Sequence, residues 1–323
     1  MAGFLAKRFV LAVVALFVAS SLSFCFFASQ YLPLRSFSLG HTYWQWLRGL
    51  PSGRSLANGV AGEKLWPIVG PALGHTLALL GLTLVLVLGF GVALGCLAAL
   101  ARGSAVDLVL RIASYAAWAV PGFLLALVLQ QTVGKIAGGP GLGWFPVAGW
   151  AGQCPGGLGI DLHTFKCPAA GTGLTYVGNV FYHLALPAFA LAAGFIGLHS
   201  RYLRASLLDA LDAPYITVAR AKGVPERRVV LRHALRNSLG TFAAAVFSDF
   251  GAIFGASLAV DFVFRLSGIG SLFFDLLNVT SASPTLDAYA IELLLLLGGV
   301  CVLAASLLGE LAVVLLDPRV RLE

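Results

Sequence analysis

The acidic, nucleophilic and metal-binding side chains of this chain are few, and most lie in apolar surroundings. Asp249 falls in the apolar stretch 238–263, where an ionised carboxylate is costly unless it meets water, a partner helix or a proton. Its residue type supports two readings: a contact on a solute path that meets a positive group such as an amine, or a structural hydrogen bond between helices. Asp261, at the outer end of the same stretch, is a second candidate for such a path. Glu292 and Glu310 lie towards the two ends of the last apolar stretch and read as packing or interfacial groups. His75, His183 and His199 are too scattered for a metal site and read as polar contacts at the ends of apolar segments. Ser267-Gly268 invites a hydrolase reading, but neither G-x-S-x-G nor H-E-x-x-H occurs. No G-x-x-x-x-G-K-[ST] phosphate loop occurs either; Gly59-Val-Ala-Gly-Glu-Lys64 is the nearest approach and has the wrong spacing. The five cysteines have no metal-ligand spacing. Cys25, Cys96 and Cys301 read as small apolar residues. Cys154 and Cys167 sit in a hydrophilic segment and are either two free thiols or a disulfide, worth about 3 kcal/mol in the chain-entropy model.

The most polar part of the chain is 205–237, ASLLDALDAPYITVARAKGVPERRVVLRHALRN. It reads as helix, break, helix. A short helix runs from about Pro214 to Lys222, Gly223 stops it, and Pro225 with Glu226 opens the next. Tyr215, Ala219 and Gly223 recur every fourth residue and share a face. Small residues at Ala219, Ala221 and Gly223 permit close approach, and Arg220 and Lys222 flank them with charge. Such a helix either docks into another protein or is simply a basic loop that fixes membrane orientation.

The elements that must carry these residues follow from composition. Of 323 residues, 59% are hydrophobic and 11% charged, with a formal net charge of +7, and the mean hydropathy is +0.91. About 25% charged residues would be usual in a soluble domain, so a soluble enzyme, a disordered chain and a coiled coil are excluded. Apolar stretches at about 9–29, 73–100, 109–133, 178–203, 238–263 and 288–316 are each long enough to span a bilayer. Backbone polar groups in lipid must be satisfied within the segment, so they are helices. The expected fold is an all-α polytopic membrane protein with six transmembrane helices. The first stretch follows Lys7-Arg8, lacks a cleavage pattern and reads as an uncleaved helix. Gly89, Gly91 and Gly95 in the second give small-residue spacing for helix packing.

Six spans divide the lysines and arginines into fourteen on the side holding both termini and the loops at 101–111 and 201–236, against seven on the other. The side richer in these residues is cytoplasmic. Two external segments result: 31–70, with Trp44, Trp46 and Trp66 suited to the bilayer interface, and the Gly- and Pro-rich 136–175.

The segment Tyr215-Ile-Thr-Val-Ala-Arg-Ala-Lys-Gly223, followed by Arg232-His-Ala-Leu-Arg-Asn237, resembles the cytoplasmic "EAA" loop of ABC importer permeases, nearest to the dipeptide/oligopeptide (DppB/OppB) type. Ala219, Gly223 and Leu235 match the pattern, and Thr217 stands where other branches have Glu. Gly74-His-Thr-Leu77, Val120-Pro-Gly122, Asp261-Phe-Val-Phe-Arg-Leu-Ser-Gly-Ile-Gly270 and Asp317-Pro-Arg319 resemble further family segments in the expected order. The likeness covers about 71–323. Near the N-terminus only Tyr31-Leu-Pro33 stands where the family has Pro-Gly-Asp-Pro.

The resemblance implies a type I ABC importer permease fold, with a transmembrane domain at 71–316 and a short cytoplasmic tail at 317–323. It implies a subunit that is not itself an enzyme, placed in a bacterial inner membrane with a second, DppC/OppC-like permease, two cytoplasmic ATPases and an external substrate-binding protein. ATP and Mg²⁺ then belong to the ATPases, and no cofactor or nucleic acid to this chain. Tyr215, Ala219, Arg220, Ala221, Lys222, Gly223 and Arg232 become the ATPase-coupling residues, and di- or oligopeptides the expected cargo. Relatives carry nickel, glutathione, haem or sugars, which the side chains here do not separate. Two rival readings are a stand-alone proton-coupled transporter using Asp249 and an intramembrane hydrolase.

Overall fold

The computed structural model describes residues 2–31, 39–50, 66–133, 146, 148–150, 172–278 and 284–316. Cys154, Cys167 and Asp317-Pro-Arg319 lie outside the described residues. Among the described residues all regular structure is helical: α1 (Ala2–Tyr31), α2 (Leu39–Gly49), α3 (Trp66–Leu100), α4 (Ala105–Ala119), α5 (Gly122–Thr132), α6 (Leu174–Leu211), α7 (Pro214–Ala221), α8 (Glu226–Arg228), a π-helical turn (Val229–Ala234), α9 (Leu235–Ser248), α10 (Phe250–Phe264), α11 (Ile269–Asn278) and α12 (Pro284–Leu316).

Helix α6 is the hub, packed against α3, α4, α5, α9 and α10. Between apolar helices in lipid, packing replaces the hydrophobic drive, so backbones must come close. Gly95 of α3 serves this: a Cβ there would lie 2.8 Å from the Ser200 carbonyl oxygen of α6. Gly197 of α6 does the same towards α4, where a Cβ would lie 2.6 Å from the Ser114 carbonyl oxygen. Of the three glycines expected to pack, Gly91 faces Phe242 and Gly95 faces α6, whereas a Cβ on Gly89 meets nothing.

Three described helices are each long and apolar enough to cross a membrane: Trp66–Leu100, Leu174–Leu211 and Ala290–Ala312. Two more spans arise if each bent pair counts as one, α4 with α5 and the Glu226–Ser248 run with α10; the apolar part of α1, Val10–Phe26, is shorter. The stretch 109–133, expected as one span, is built of two helices, α4 and α5, that meet at 95°. Pro121 explains the break: it lacks an N–H and pushes Val120 into an extended conformation, ψ 117°. The expected continuous helix over 238–263 also bends, by 48° at Asp249. There the Ser248 hydroxyl donates to the Ala245 carbonyl at 2.9 Å and competes with the helical ladder.

Polar side chains tie the N-terminal helices to α12. Buried Glu292 of α12 accepts from the Ser20 hydroxyl at 3.0 Å and the Ser23 hydroxyl at 2.7 Å, both on α1. Tyr43 of α2 donates in turn to Ser20 at 3.1 Å, and its ring packs with Trp46 beside Phe24. Glu292 is thus a packing group, as its position suggested.

Candidate functional site

The short helix in the polar stretch forms where expected. Ala213 is extended ahead of it and Pro214 takes the first helical position. Its end is a Schellman motif: Gly223 N–H donates to the Arg220 carbonyl at 2.9 Å and Val224 N–H to the Ala219 carbonyl at 3.2 Å. Gly223 has φ +75°, a left-handed conformation that glycine adopts without strain. A Cβ on Gly223 would meet nothing within 4 Å, so within this chain the glycine is required by backbone geometry rather than by space.

Ile216 anchors the helix. It is fully buried with Ala99 of α3, Leu207 and Ala210 of α6, and Val229 and Ala234 of the π turn, and Ala219 and Val224 pack onto the same cluster. The helix therefore has an apolar underside, Ile216 and Ala219, one turn apart. Its exposed ridge is Tyr215, Val218 and Lys222, with Ala221 beside it. The expected common face of Tyr215, Ala219 and Gly223 is divided: Tyr215 points out and Ala219 points in. The sequence reading did not use Ile216, although an apolar residue on a short polar helix was the available signal.

Arg220 is held by the chain itself. Its Nε and Nη2 donate to Glu226 Oε2 at 3.1 Å and Oε1 at 2.6 Å, a two-pronged pair across the Gly223 turn. That hydrogen bond holds the Glu226 carboxyl below the usual carboxylate range and raises Arg220. Both groups face solvent, so the pair orders the turn more than it stabilises the fold. Arg232 is exposed on the π turn, beside Arg227, Arg228 and Leu231.

Above this assembly α4 is fastened to α6. Ser104 caps α4 by accepting from Asp107 N–H at 3.3 Å. Asp107, almost fully buried, accepts two 2.8 Å bonds from the Arg204 guanidinium of α6, and Arg111 lies 3.5 Å away. Ser104-x-x-Asp107 is a recognisable cap signal in the sequence, but nothing local to it names Arg204 as the partner.

Within the membrane region Asp249 occupies the bend between α9 and α10 and is 34% exposed. Its Oδ2 lies 3.3 Å from Nε2 of His199, which is fully buried on α6. His199 Nδ1 is 2.8 Å from the Phe195 carbonyl oxygen. A carbonyl only accepts, so Nδ1 carries a proton and Nε2 is left to face the carboxylate. Asp261 is placed differently. It is 1% exposed and accepts from Gly268 N–H at 3.2 Å, Ser271 N–H at 3.0 Å and the Ser271 hydroxyl at 2.9 Å. Thr76 accepts from Ile269 N–H at 2.8 Å in the same turn. Asp261 therefore caps the start of α11 and does not face an open surface. His75 meets the carbonyl of Ser267 at 3.2 Å, not its hydroxyl, so the two do not form a nucleophile–base pair.

Residues 91–322 match the family of binding-protein-dependent transport system inner membrane components. The chain belongs to this family. The match opens within α3 and takes in the polar stretch 205–237, Asp249 and Asp261, while α1 and α2 precede it. The permease is similar to a Brucella suis biovar 1 protein provisionally named a peptide permease, with 31% identity over 259 residues, 80% of this chain and 72% of that protein. It is 28% identical over 283 residues to the oligopeptide transport system permease AppB of Bacillus subtilis, covering 86% of this chain and 79% of AppB. It is 27% identical over 237 residues to the glutathione transport system permease GsiC of Escherichia coli K12, covering 73% of this chain and 67% of GsiC. These relatives identify a permease of the peptide-importer type in the ABC transporters, a multi-pass membrane subunit.

Proposed function

We propose that this permease forms half of the pathway of an ATP-driven, binding-protein-dependent importer of di- or oligopeptides. Six spans carry both termini to the cytoplasmic face of a bacterial inner membrane. A second, DppC/OppC-like permease completes the pathway, an external binding protein delivers the cargo, and two cytoplasmic ATPases bind ATP and Mg²⁺. The observation that carries the reading is α7: a short helix whose underside is locked to α3, α6 and the π turn through Ile216, and whose ridge of Tyr215, Val218 and Lys222 is left exposed. A helix so anchored transmits a push to the bundle instead of yielding to it. Alternation between inward- and outward-open states then follows if ATP-bound and ATP-free motors bind α7 differently.

The test is co-purification and reconstitution. Val218→Glu places a charge on the ridge without touching the underside. The expected result is loss of the ATPase subunits from the purified assembly, together with loss of ATP-driven peptide uptake and an unchanged helical spectrum. Retention of the ATPases refutes the docking role. The contact between His199 and Asp249 favours one rival, a proton-coupled carrier. Uptake by this chain alone, driven by a proton gradient and indifferent to ATP, decides for that rival.

A further inference from the structure

Among the described residues Asp249 has no lysine or arginine within ion-pair distance; its one such contact is the His199 imidazole, a cation only when protonated. Asp249 stands thirteen residues after Arg236 and sixteen before Arg265, about 20 and 24 Å at helical rise from these two arginines. The carboxylate is partly open, and its surroundings form one face. Asn237, Thr241, Ser248, Ala252 and Gly255 recur at helical spacing and are all exposed, with Ala256 and Ala259 continuing the same face half-buried. No large side chain interrupts this strip, in a chain otherwise rich in leucine.

A second observation meets the first. An apolar cavity of about 260 Å³ lies at the 95° bend between α4 and α5, lined by Trp118, Phe123, Leu191, Phe195, Ala256 and Ala259. Ala256 of α10 lies seven residues beyond Asp249 at the bend, about 10 Å at helical rise. Phe195 joins the two features: it lines the cavity, and its carbonyl accepts from His199 Nδ1. The buried Nε2 of His199 makes no hydrogen bond and is aimed at the Asp249 carboxylate.

From this juxtaposition we infer that Asp249 and the neighbouring apolar cavity form a cargo subsite for an ammonium group next to an apolar side chain, as at the N-terminus of a peptide whose first residue is apolar. The carboxylate takes the ammonium and the cavity takes the side chain. The inference rests on the importer reading above and specifies its substrate.

The test uses the complete importer in proteoliposomes, with ATP inside and the binding protein outside. Uptake of Leu-Gly is compared with that of N-acetyl-Leu-Gly, each as KM and kcat. The wild type is expected to favour the free amine, and Asp249→Asn to raise KM for Leu-Gly about tenfold, the effect of one lost charge-assisted contact. The preference for the free amine then falls away, and Asp249→Glu restores it. An unchanged preference in Asp249→Asn overturns the inference. If neither dipeptide is carried, the peptide reading fails, and the subsite is tested by its chemistry alone. In a background freed of the native cysteines, the thiol of Ser248→Cys is treated with a cationic trimethylammonium and an anionic sulfonate thiosulfonate reagent. The cation is expected to react about tenfold faster with Asp249 present, and at a similar rate after Asp249→Asn. Equal rates for both reagents with Asp249 present overturn the subsite.

Discussion

Gly223 separates two explanations for a glycine at the end of a short exposed helix: room for a partner, or a backbone turn that other residues resist. In this chain a Cβ at Gly223 meets nothing, while φ is +75°. Gly223→Ala therefore adds no clash and costs only the left-handed conformation, about 1 kcal/mol. A penalty of about 1 kcal/mol is a factor of about five in the population of the closed turn. The closed turn is the one in which Val224 N–H reaches Ala219 and both residues cover Ile216. Hydrogen exchange at Lys222, Gly223 and Val224 should thus rise about fivefold in Gly223→Ala. It should rise less in Gly223→Asn, because asparagine tolerates this conformation better, and ATP-driven uptake should follow the same ranking. If Asn and Ala damage uptake equally while the exchange rates stay at wild type, the turn is intact and the reasoning fails. The glycine is then needed for room against the ATPase.

Three further outcomes follow from the same geometry. Gly95→Val should destabilise the permease by about 1–3 kcal/mol through overpacking against α6, whereas Gly89→Ala should leave the midpoint of thermal unfolding in detergent unmoved, since nothing faces it. Asp261→Ala should leave the buried N–H groups of Gly268 and Ser271 without acceptors, at about 1–3 kcal/mol each; an unshifted midpoint would contradict the capping role. The folded-state value of the Glu226 carboxyl is depressed by Arg220. Its contribution to the turn is therefore full above the ordinary carboxylate value, near 4.5, and is lost as pH falls through the lowered folded value. Arg220→Ala should accordingly speed exchange at Gly223 at neutral pH and at low salt, with the difference shrinking in strong acid and at high salt.

The parts of this fold legible in the sequence are those set by local rules. Pro214, Gly223 and Pro225 fix α7 and its stop through backbone restrictions that need no partner, and the structure has them where the sequence put them. The apolar stretches are equally legible, because hydropathy is additive along the chain. Their straightness is not. Pro121 is visible, but whether a proline kinks a helix slightly or turns it by 95° depends on what α6 and α10 offer on either side. Contacts between distant residues were harder still. Asp107 finds Arg204, Asp249 finds His199 and Glu292 finds Ser20 and Ser23, separations of 97, 50 and about 270 residues, and no local pattern names the second member. Ala219 shows a subtler failure. Fourfold spacing placed it with Tyr215, yet a helix of eight residues has few inward positions, and Ile216 takes the central one and draws Ala219 in beside it.

The π turn joins the short polar helix α7 firmly to the apolar run of α9. Val229, Val230 and Ala234 are buried in this turn, and Val229 and Ala234 share the cluster of Ile216. A six-residue π segment holds an extra residue per turn and rotates the faces of everything beyond it. Without that rotation, the faces of α9 would be turned relative to α3, α6 and α12, which it packs against. The same run continues through α9 to the bend at Asp249. A displacement of α7 therefore reaches α3 and α6 directly through the cluster, and α9 through the π turn. The bend lies at the far end of α9, where the helix axis changes direction by 48°. A rigid α-helix in place of the π turn would couple α7 to α9 with a different rotation. Removing one residue between Val229 and Ala234 should thus leave α7 folded and docked while uncoupling ATP hydrolysis from uptake. Hydrolysis and uptake both at wild-type levels in that deletion would show that the turn transmits nothing.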